Sequence, residues 1–272
     1  MEISQINTKT SLYGVMGNPV SHSLSPAMHN AAFEKIGHNG VYLAFPVKDV
    51  KSAVAGVRAL NVKGVSVTIP HKIAIMEYLD EIDDQARQIG ALNTIVNKDG
   101  HLYGYNSDCL GAINALLDKT EIKGKDVVIA GAGGAARAIA FGILAEGGRL
   151  TILNQIKEEG EALAADLGVN YYPLSEYKKH ESEIFINATP LGMTPEIDTM
   201  PVDKEYLRKE MTVMDIVYNP LKTKLLKEAE VKGCNIVDGV SMFVYQGISQ
   251  FESWTGEKAP AELMRKVVLD SL

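Results

Sequence analysis

Short apolar runs alternate with amphipathic segments along most of the chain, and Gly or Pro residues separate them. In the first hundred residues, runs rich in β-branched side chains predict strands at 11–15, 41–45 and 64–69. Helical spacing predicts helices from Ser25 to about Ile36 and over 50–60. Ser25 and Pro26 suit the N-cap and the first turn of the first helix. Two further runs, 94–96 and 102–105, flank a Lys-Asp-Gly turn and predict a hairpin.

The second half of the chain repeats a strand–helix alternation with more regular spacing. Its apolar runs predict strands at 126–130, 150–153, 184–187, 212–216 and 235–237. Helical patterns follow the first of these strands to about Ala145, lie over 221–232, and continue from Gly239 to the end of the chain. Strands separated by helices imply a parallel sheet with right-handed crossovers.

These patterns predict an α/β protein of two domains. The first, at about 1–107, is an N-terminal α/β substrate-binding and catalytic domain, which the C-terminal helices at about 240–272 return to complete. The second, at about 108–239, is a Rossmann-type domain with a doubly wound parallel sheet. We expect the active site in the cleft between them, because ligand pockets favour domain boundaries.

Composition excludes several other classes of protein. The chain has 272 residues, of which 46% are hydrophobic and 22% charged, as in ordinary globular proteins. A net charge of -7 without a basic cluster argues against nucleic-acid binding, and no apolar run is long enough for a membrane span. The first residues lack a signal-peptide pattern and the chain has only two cysteines, so we expect a reducing cytoplasm. No cysteine, histidine or acidic spacing suggests a metal site.

A glycine-rich turn lies between the predicted strand at 126–130 and the helix after it. Its residues are Gly131, Ala132, Gly133, Gly134 and Ala135. Glycine allows a tight turn and a close approach of backbone N–H groups to phosphate, and the helix N-terminus favours an anion. A second strand ends about twenty residues later, as in dinucleotide-binding units. The sequence therefore predicts a dinucleotide site.

Polar clusters at other predicted turns match one enzyme family in their combination and order. The matching segments are 14–30, 64–72, 90–94, 104–108, 131–137, 187–190, 215–220 and 238–246. Together they resemble shikimate dehydrogenase, which interconverts 3-dehydroshikimate and shikimate in the chorismate route to aromatic amino acids. The resemblance implies an NADP-dependent oxidoreductase that acts on an alcohol.

The resemblance also implies roles for individual residues. Lys72 and Asp108 would form the catalytic acid–base pair. The other substrate ligands would be Ser23 and Ser25 at the carboxylate, with Thr68, Asn93, Asp108 and Gln246 at the ring hydroxyls and Tyr218 as a further contact. The glycine turn would bind the cofactor phosphates, and the remaining cofactor contacts would be Asn154, Thr189, Ile216, Gly239 and, by a weaker match, Asp84.

The choice of cofactor rests on the residues that follow Asn154. Family members that use NADP commonly have Arg-Thr where this chain has Gln155 and Ile156. Arg accommodates the 2′-phosphate of NADP, whereas an acidic side chain binds the ribose hydroxyls of NAD. Neither is present, although Lys157 offers a point charge. NADP is therefore the expectation from the family, and NAD stays open.

Two other interpretations are compatible with parts of the sequence. An NAD-dependent quinate dehydrogenase, or one of dual specificity, would differ in the space around Ser23 and Ser25, since quinate carries an extra hydroxyl beside its carboxylate. A non-catalytic module that senses a dinucleotide or metabolite would not need both Lys72 and Asp108. The sequence leaves open whether the protein is a monomer or a homodimer.

Overall fold

The computed structural model describes residues 6–179 and 181–272, and the burial of the side chains of 178 and 179 is not described. Residues 1–5, which bear on the expected absence of a signal peptide, lie outside the described part. The chain divides into two compact units. The first comprises 1–107 and Gln246–Ser271, and the second comprises Asp108–Tyr245 together with Leu272.

The first unit is built on a six-stranded mixed sheet. Its strands are β1 (Ser11–Gly17), β2 (Gly40–Pro46), β3 (Gly64–Val67), β4 (Glu81–Ile82), β5 (Thr94–Lys98) and β6 (His101–Tyr105). They lie in the order β2-β1-β3-β5-β6-β4, with β5 antiparallel to both of its neighbours. Its helices in chain order are α1 (Ser25–Ile36), α2 (Val50–Ala59) and α3 (Asp84–Ile89), with a 3₁₀ turn at Ala74–Tyr78.

Local chemistry explains several boundaries in this unit. The Asp49 carboxylate accepts hydrogen bonds from the N–H groups of Lys51 and Ser52 and caps α2. Gly37 ends α1 with a φ of 71°, a left-handed conformation that favours glycine. Asp99 and Gly100 both have positive φ, as a two-residue hairpin turn requires, so the predicted hairpin forms as β5 and β6.

The N-cap predicted at Ser25 is wrong. Leu24 occupies the cap position of α1 without a side-chain hydrogen bond, and Ser25 is already the first helical residue. The Ser23 hydroxyl accepts the Ser25 N–H at 3.3 Å. The Ser25 side chain is buried and hydrogen-bonds the Tyr42 hydroxyl. Its hydroxyl therefore bonds a neighbouring side chain and does not cap the helix.

The second unit contains a six-stranded sheet in which every pair of neighbours is parallel. Its strands are β7 (Asp126–Ala130), β8 (Arg149–Asn154), β9 (Asn170–Pro173), β10 (Ile184–Asn187), β11 (Thr212–Asp215) and β12 (Asn235–Val237). The helices are α4 (Ser107–Leu117), α5 (Gly134–Ala145), α6 (Lys157–Leu167) and α7 (Lys224–Val231), with 3₁₀ turns at Leu174–Lys179 and Lys204–Tyr206. The order β12-β11-β10-β7-β8-β9 is that of a Rossmann sheet.

Successive residues of the central strands enter two different cores, which shows that both faces of this sheet are covered. Val127 and Ile129 of β7 pack in a cluster with residues of α4 and α5, while Val128 and Ala130 pack in another with residues of α7. This is the two-sided burial that parallel sheets need. The expected doubly wound α/β architecture is confirmed.

The C-terminal helices are α8 (Gly239–Thr255) and α9 (Ala261–Asp270), and α9 packs on α1 in the first unit. The division between the units falls within α8, between Tyr245 and Gln246. The sequence pattern places this return at about residue 240. Residues 240–245 lie in the second unit, because Met242 is buried in one of its cores. No helix in the described ranges is long and apolar enough to cross a membrane.

The strand at 64–69 is shorter than predicted, because β3 ends at Val67, before Thr68. The helix predicted over 221–232 begins only at Lys224, where the Thr223 hydroxyl caps it. The strand pattern misses β4, which has two residues, and β9. Their residues are exposed or partly exposed, so their sequences lack the apolar run that identifies a buried strand.

An aromatic core in the first unit encloses His29 of α1. The imidazole is fully buried and stacks on the Tyr42 ring, with centroids 4.6 Å apart. Neither ring nitrogen has a hydrogen-bond partner among the described residues. Burial lowers the pKa of His29 from 6.5 to about 3. Protonation therefore favours the unfolded chain.

We expect His29→Phe to weaken the acid sensitivity of the fold. The folded pKa lies below the unfolded one, so stability is lost as the pH falls below 6.5 toward 3. From these values, His29 costs the folded state about 2 kcal/mol more at pH 5 than at pH 7. Urea unfolding at both pH values measures the difference, with His22→Gln, at an exposed position, as the control. An identical pH dependence in wild type and His29→Phe would contradict the expectation.

Candidate active site

One edge of the first sheet gathers most of the predicted substrate ligands. The carboxyl ends of the parallel strands β1 and β3 lie at this edge. Because β5 is antiparallel to β3 and β6, the start of β5 and the end of β6 lie there too. The predicted ligands at this edge are Ser23 and Ser25 after β1, Thr68 and Lys72 after β3, and Asn93 before β5.

Backbone hydrogen bonds join these loops directly. The Thr68 N–H donates to Met16 at 2.9 Å, and the Leu92 N–H donates to the Lys72 carbonyl at 2.9 Å. The Asn93 N–H donates to Tyr105 at 3.1 Å, and the Asn93 carbonyl accepts the Val67 N–H at 2.8 Å. The positions of Thr68, Lys72 and Asn93 are therefore tied to one another through the main chain.

The amide of Asn93 has a defined orientation. Its Oδ1 accepts hydrogen bonds from the Ser107 N–H at 2.7 Å, the Ser107 hydroxyl at 3.1 Å and the Thr94 hydroxyl at 2.9 Å. Its Nδ2 lies 3.5 Å from the Gln246 Oε1. Because a backbone N–H fixes which amide atom is the oxygen, Asn93 presents its NH₂ group on the side of Gln246. The NH₂ group of Asn93 can therefore donate a hydrogen bond to an oxygen of a ligand.

A chain of buried polar groups lies behind these ligands, and its members were not predicted from the sequence. The Tyr42 hydroxyl donates to Ser66 at 2.6 Å, and the Ser66 hydroxyl donates to the Gln250 Oε1 at 2.6 Å. The Gln250 Nε2 donates to the Asn93 carbonyl at 3.0 Å and to Thr94 at 3.1 Å. Gln250 lies four positions after Gln246 on α8, and this helical spacing is the sequence signal that could have identified Gln250.

Two predicted site residues of the first unit, Lys72 and Asp84, differ from the histidine next to Lys72, which has a structural role. Lys72 is partly exposed, and its neighbour His71 is buried with its Nε2 2.8 Å from the Val47 carbonyl. Because a carbonyl only accepts, that ring nitrogen carries the proton. This local hydrogen bond gives His71 a structural role. The predicted cofactor residue Asp84 is exposed in the first turn of α3, in the first unit.

The glycine turn occupies the switch point of the second sheet. The strands β7 and β10 are neighbours there, and the chain leaves them in opposite directions along the sheet. Gly131 has a φ of 120°, and a Cβ on it would lie 2.8 Å from the Ala188 carbonyl oxygen. Gly133, at the N-cap of α5, has a φ of -75° and would place a Cβ in open space.

The turn has the properties that a phosphate group requires. No side chain caps α5, so its first N–H groups face the space in front of Gly133. Gly131 is required by the packing of the protein itself, whereas nothing in the described chain requires glycine at position 133. An open approach to uncapped N–H groups fits a dinucleotide phosphate. Ala132, Gly134 and Ala135 complete the turn and begin α5.

The end of β8 carries the residues expected to select the cofactor. The Asn154 Nδ2 donates to the Ile156 carbonyl at 2.9 Å, which shapes the turn before α6. Gln155 and Ile156 are exposed, and Lys157 lies 3.7 Å from Glu161 on α6. The one cation in this turn therefore has a nearby acidic partner.

The loops after β10 and β11 carry the other predicted cofactor residues. Thr189 donates from its N–H and its hydroxyl to the Asn187 Oδ1, at 3.0 and 2.6 Å. Ile216 follows Asp215, whose carboxylate is completely buried. A Cβ on Gly239, where α8 begins, would lie 2.6 Å from the Ile216 carbonyl oxygen. Tyr218 lies in the same loop and packs on Phe243, with ring centroids 4.8 Å apart.

Asp108 and Cys109 are adjacent in the first turns of α4, in the second unit. Both side chains are buried. Burial and the neighbouring Asp108 raise the pKa of the Cys109 thiol to about 11, so it stays protonated at neutral pH and is a poor nucleophile. Within residues 6–179 and 181–272, no group of three or more His, Cys, Asp or Glu side chains is arranged to hold a metal.

Comparison with known proteins identifies the family. Two family profiles match, the shikimate dehydrogenase substrate binding domain at residues 15–95 and the shikimate 5'-dehydrogenase C-terminal domain at residues 239–269. The shikimate dehydrogenase (NADP(+)) of Methanocaldococcus jannaschii is 46% identical, and the alignment covers 98% of this chain and 99% of that protein.

Solved structures of this family superimpose on nearly the whole chain. A shikimate dehydrogenase in complex with NADP+ is 46% identical and gives a TM-score of 0.93, covering 97% of this chain and 96% of the other. The shikimate 5-dehydrogenase of Listeria monocytogenes, in complex with shikimate and NAD, is 38% identical. It gives a TM-score of 0.89 and covers 97% of this chain and 98% of the other. The polar edge of the first unit and the glycine turn of the second are thus parts of a chain that belongs to the shikimate dehydrogenase family.

Proposed function

We propose that this protein catalyses the reversible NADPH-dependent reduction of 3-dehydroshikimate to shikimate, in the biosynthesis of chorismate and the aromatic amino acids. The observation that carries the proposal is the 46% identity over 98% of the chain to an NADP-dependent shikimate dehydrogenase. The geometry of both units agrees with it, since one unit offers a polar edge and the other a glycine turn at the switch point.

The substrate ligands are proposed from the polar edge of the first unit. Ser23 and Ser25 bind the carboxylate, which suits an acidic protein without a basic patch. The Asn93 amide donates to a ring hydroxyl oxygen, because its own oxygen is fully engaged. The other ligands of the ring are Thr68, Asp108, Gln246 and Tyr218. Buried polar groups of this kind reject analogues that lack a hydroxyl.

Lys72 and Asp108 are proposed as the groups that move the proton. Bound NADPH supplies the hydride to the carbonyl carbon of 3-dehydroshikimate. The ammonium group of Lys72 donates a proton to the carbonyl oxygen, which becomes the hydroxyl of shikimate. Asp108 orients the same oxygen and exchanges the proton with Lys72. In the oxidative direction Lys72 accepts the proton as the hydride leaves.

The cofactor is proposed to bind the second unit. The turn Gly131, Ala132, Gly133, Gly134 and Ala135 receives the phosphates at the N-terminus of α5. Asn154 lies near the adenosine ribose, and Thr189, Ile216 and Gly239 line the nicotinamide side. Asp84 is retained as a weaker cofactor contact. A cytoplasmic location and a monomeric or homodimeric state stay predictions.

A matrix of two substrates and two cofactors tests the proposal. Shikimate and quinate are each assayed with NADP+ and NAD+, and the absorbance of the reduced nicotinamide is followed. We expect shikimate with NADP+ to give the highest kcat/KM. Faster turnover of quinate with NAD+ would support the quinate dehydrogenase instead, and binding without turnover in all four combinations would support a sensing module.

We expect Gln155→Arg to raise the preference for NADP+ over NAD+ about tenfold in kcat/KM, since a guanidinium can bind the 2′-phosphate with two hydrogen bonds. Gln155 is exposed at the start of the β8–α6 turn, so the change leaves the fold unaltered. The matched variant Lys157→Met measures what the existing cation contributes. An unchanged cofactor ratio in Gln155→Arg would place the 2′-phosphate away from this turn.

A further inference from the structure

A buried carboxylate lies at the carboxyl end of β11 and is held by three hydrogen bonds. The Asp215 Oδ1 accepts the Asn187 Nδ2 at 2.9 Å and the Val217 N–H at 3.0 Å. The Oδ2 accepts the Thr223 hydroxyl at 2.6 Å. All three donors come from different places: the end of β10, the loop after β11, and the N-cap of α7.

Burial of this carboxylate is energetically unfavourable, since none of the described residues that interact with it is a cation. Burial raises the pKa of Asp215 to about 6 in spite of the three hydrogen bonds. A neutral or apolar side chain would avoid this cost of desolvation. The carboxylate therefore contributes by fixing positions rather than by stabilising the fold, because one group can accept hydrogen bonds from several loops at once.

Asp215 connects to the glycine turn through Asn187. The Asn187 Oδ1 holds both the N–H and the hydroxyl of Thr189, while its Nδ2 donates to Asp215 and to the Leu191 carbonyl at 3.1 Å. Gly131 approaches this same loop so closely that a Cβ on it would meet the Ala188 carbonyl. The loop after β10 thus contacts the phosphate-binding turn at one end and is fixed by Asp215 at the other.

The second connection runs through the loop after β11. The Val217 N–H is bound by Asp215, and the Ile216 and Val217 carbonyls lie directly against Gly239 at the start of α8. In open α/β sheets, ligands bind outside the carboxyl ends of the strands at the switch point. Both loops that Asp215 organises lie at this edge of the sheet.

We propose that Asp215 is a positioning residue that sets the loops after β10 and β11 around the nicotinamide half of the cofactor. This inference rests on one part of the proposed function, namely that a nicotinamide cofactor binds the second unit. Asp215 acts through Asn187 and Val217 rather than by touching the cofactor. What matters is a hydrogen-bond acceptor at this position, not the negative charge.

Variants at position 215 separate geometry from charge. Asp215→Asn keeps an oxygen for Asn187 and Val217, and its NH₂ group can donate to the Thr223 hydroxyl oxygen. Asp215→Ala removes all three acceptors. We expect Asp215→Ala to raise the Kd for NADPH at least about tenfold and Asp215→Asn to stay within about threefold of wild type. Fluorescence titration of NADPH and NADH, without substrate, gives the Kd of the cofactor that wild type binds more tightly.

Two further comparisons exclude a role in stability alone. Val213→Ala shortens a fully buried side chain in the same strand, so it destabilises the fold without touching the network. Its Kd is expected to equal that of wild type. Thr223→Val removes only the bond to Oδ2 and the cap of α7, and we expect a Kd about threefold higher, which Thr223→Ser restores.

Thermal unfolding is recorded for every variant. If Asp215→Ala does not fold, the Kd values of Thr223→Val, Thr223→Ser and Asp215→Asn decide whether Asp215 positions the two loops. A wild-type Kd in Thr223→Val, an equal loss of affinity in Asp215→Asn and Asp215→Ala, or an equal loss in Val213→Ala would each overturn the proposal. A different result would refute the proposed function: the wild-type protein would bind a reduced cofactor but would not turn over shikimate.

Discussion

We expect Lys72→Met to lower kcat for shikimate oxidation by about 10²- to 10⁴-fold, the contribution typical of a general acid–base group. The methionine keeps the length of the side chain and removes the amine that is proposed to accept the proton. Lys72 lies in the loop after β3, whose main chain is fixed by the bond from the Leu92 N–H. We therefore expect the loop to keep its conformation. Steady-state assays in both directions give kcat and KM.

The control is Lys48→Met, which removes an exposed lysine from the same unit and leaves kcat unchanged. Asp108→Asn tests the partner and is expected to lower kcat by a similar factor. Because Lys72 lies in the first unit and the glycine turn in the second, the Kd for NADPH stays at its wild-type value in Lys72→Met. A kcat within threefold of wild type would exclude Lys72 as the proton donor.

Gly131→Ala and Gly133→Ala affect different properties of the same turn. At Gly131 the φ of 120° and the Ala188 carbonyl, 2.8 Å from the site of a Cβ, both oppose a side chain. We expect a loss of about 2–4 kcal/mol in the free energy of unfolding. At Gly133 the φ is -75° and no atom lies within 4 Å of a Cβ, so stability falls by less than about 1 kcal/mol.

For cofactor affinity, Gly133→Ala is the informative variant. A methyl group at position 133 would stand where the proposed phosphate approaches the N–H groups of α5, so we expect the Kd for NADPH to rise about tenfold or more in a protein that is otherwise intact. Urea unfolding and fluorescence titration measure the two effects, and each variant is the control of the other. A stable Gly133→Ala protein with wild-type affinity would remove the glycine turn from the proposed phosphate site.

The sequence pattern was most successful where local spacing carries the information. The central strands of the second sheet are buried on both faces and read as continuous apolar runs, so the strands at 126–130 and 184–187 were predicted at their observed bounds. The hairpin turn was readable from Asp99 and Gly100 because both residue types tolerate positive φ. The strand β9 was not predicted, because its tyrosines are only partly buried and give no apolar run.

The proposed site residues could be predicted from the sequence, whereas the hydrogen-bonded groups that support them could not. Lys72 and the glycine turn follow strands directly, in motifs that occur in a recognisable order. Ser66, Gln250 and Thr223 lie at strand, helix and cap positions where polar residues are unremarkable in sequence. Their importance arises from hydrogen-bond partners far along the chain, such as Ser66 with Gln250, 184 residues apart.

The sequence by itself determined the fold class, the family and the position of the glycine turn, because these depend on the period of apolar residues and on residue types at short spacing. Only the tertiary structure decided which edge of the first sheet collects the polar groups, since an antiparallel β5 brings Asn93 to the same edge as Lys72. It also decided the orientation of the Asn93 amide and the burial of Asp215, because both follow from partners that fold together from distant segments.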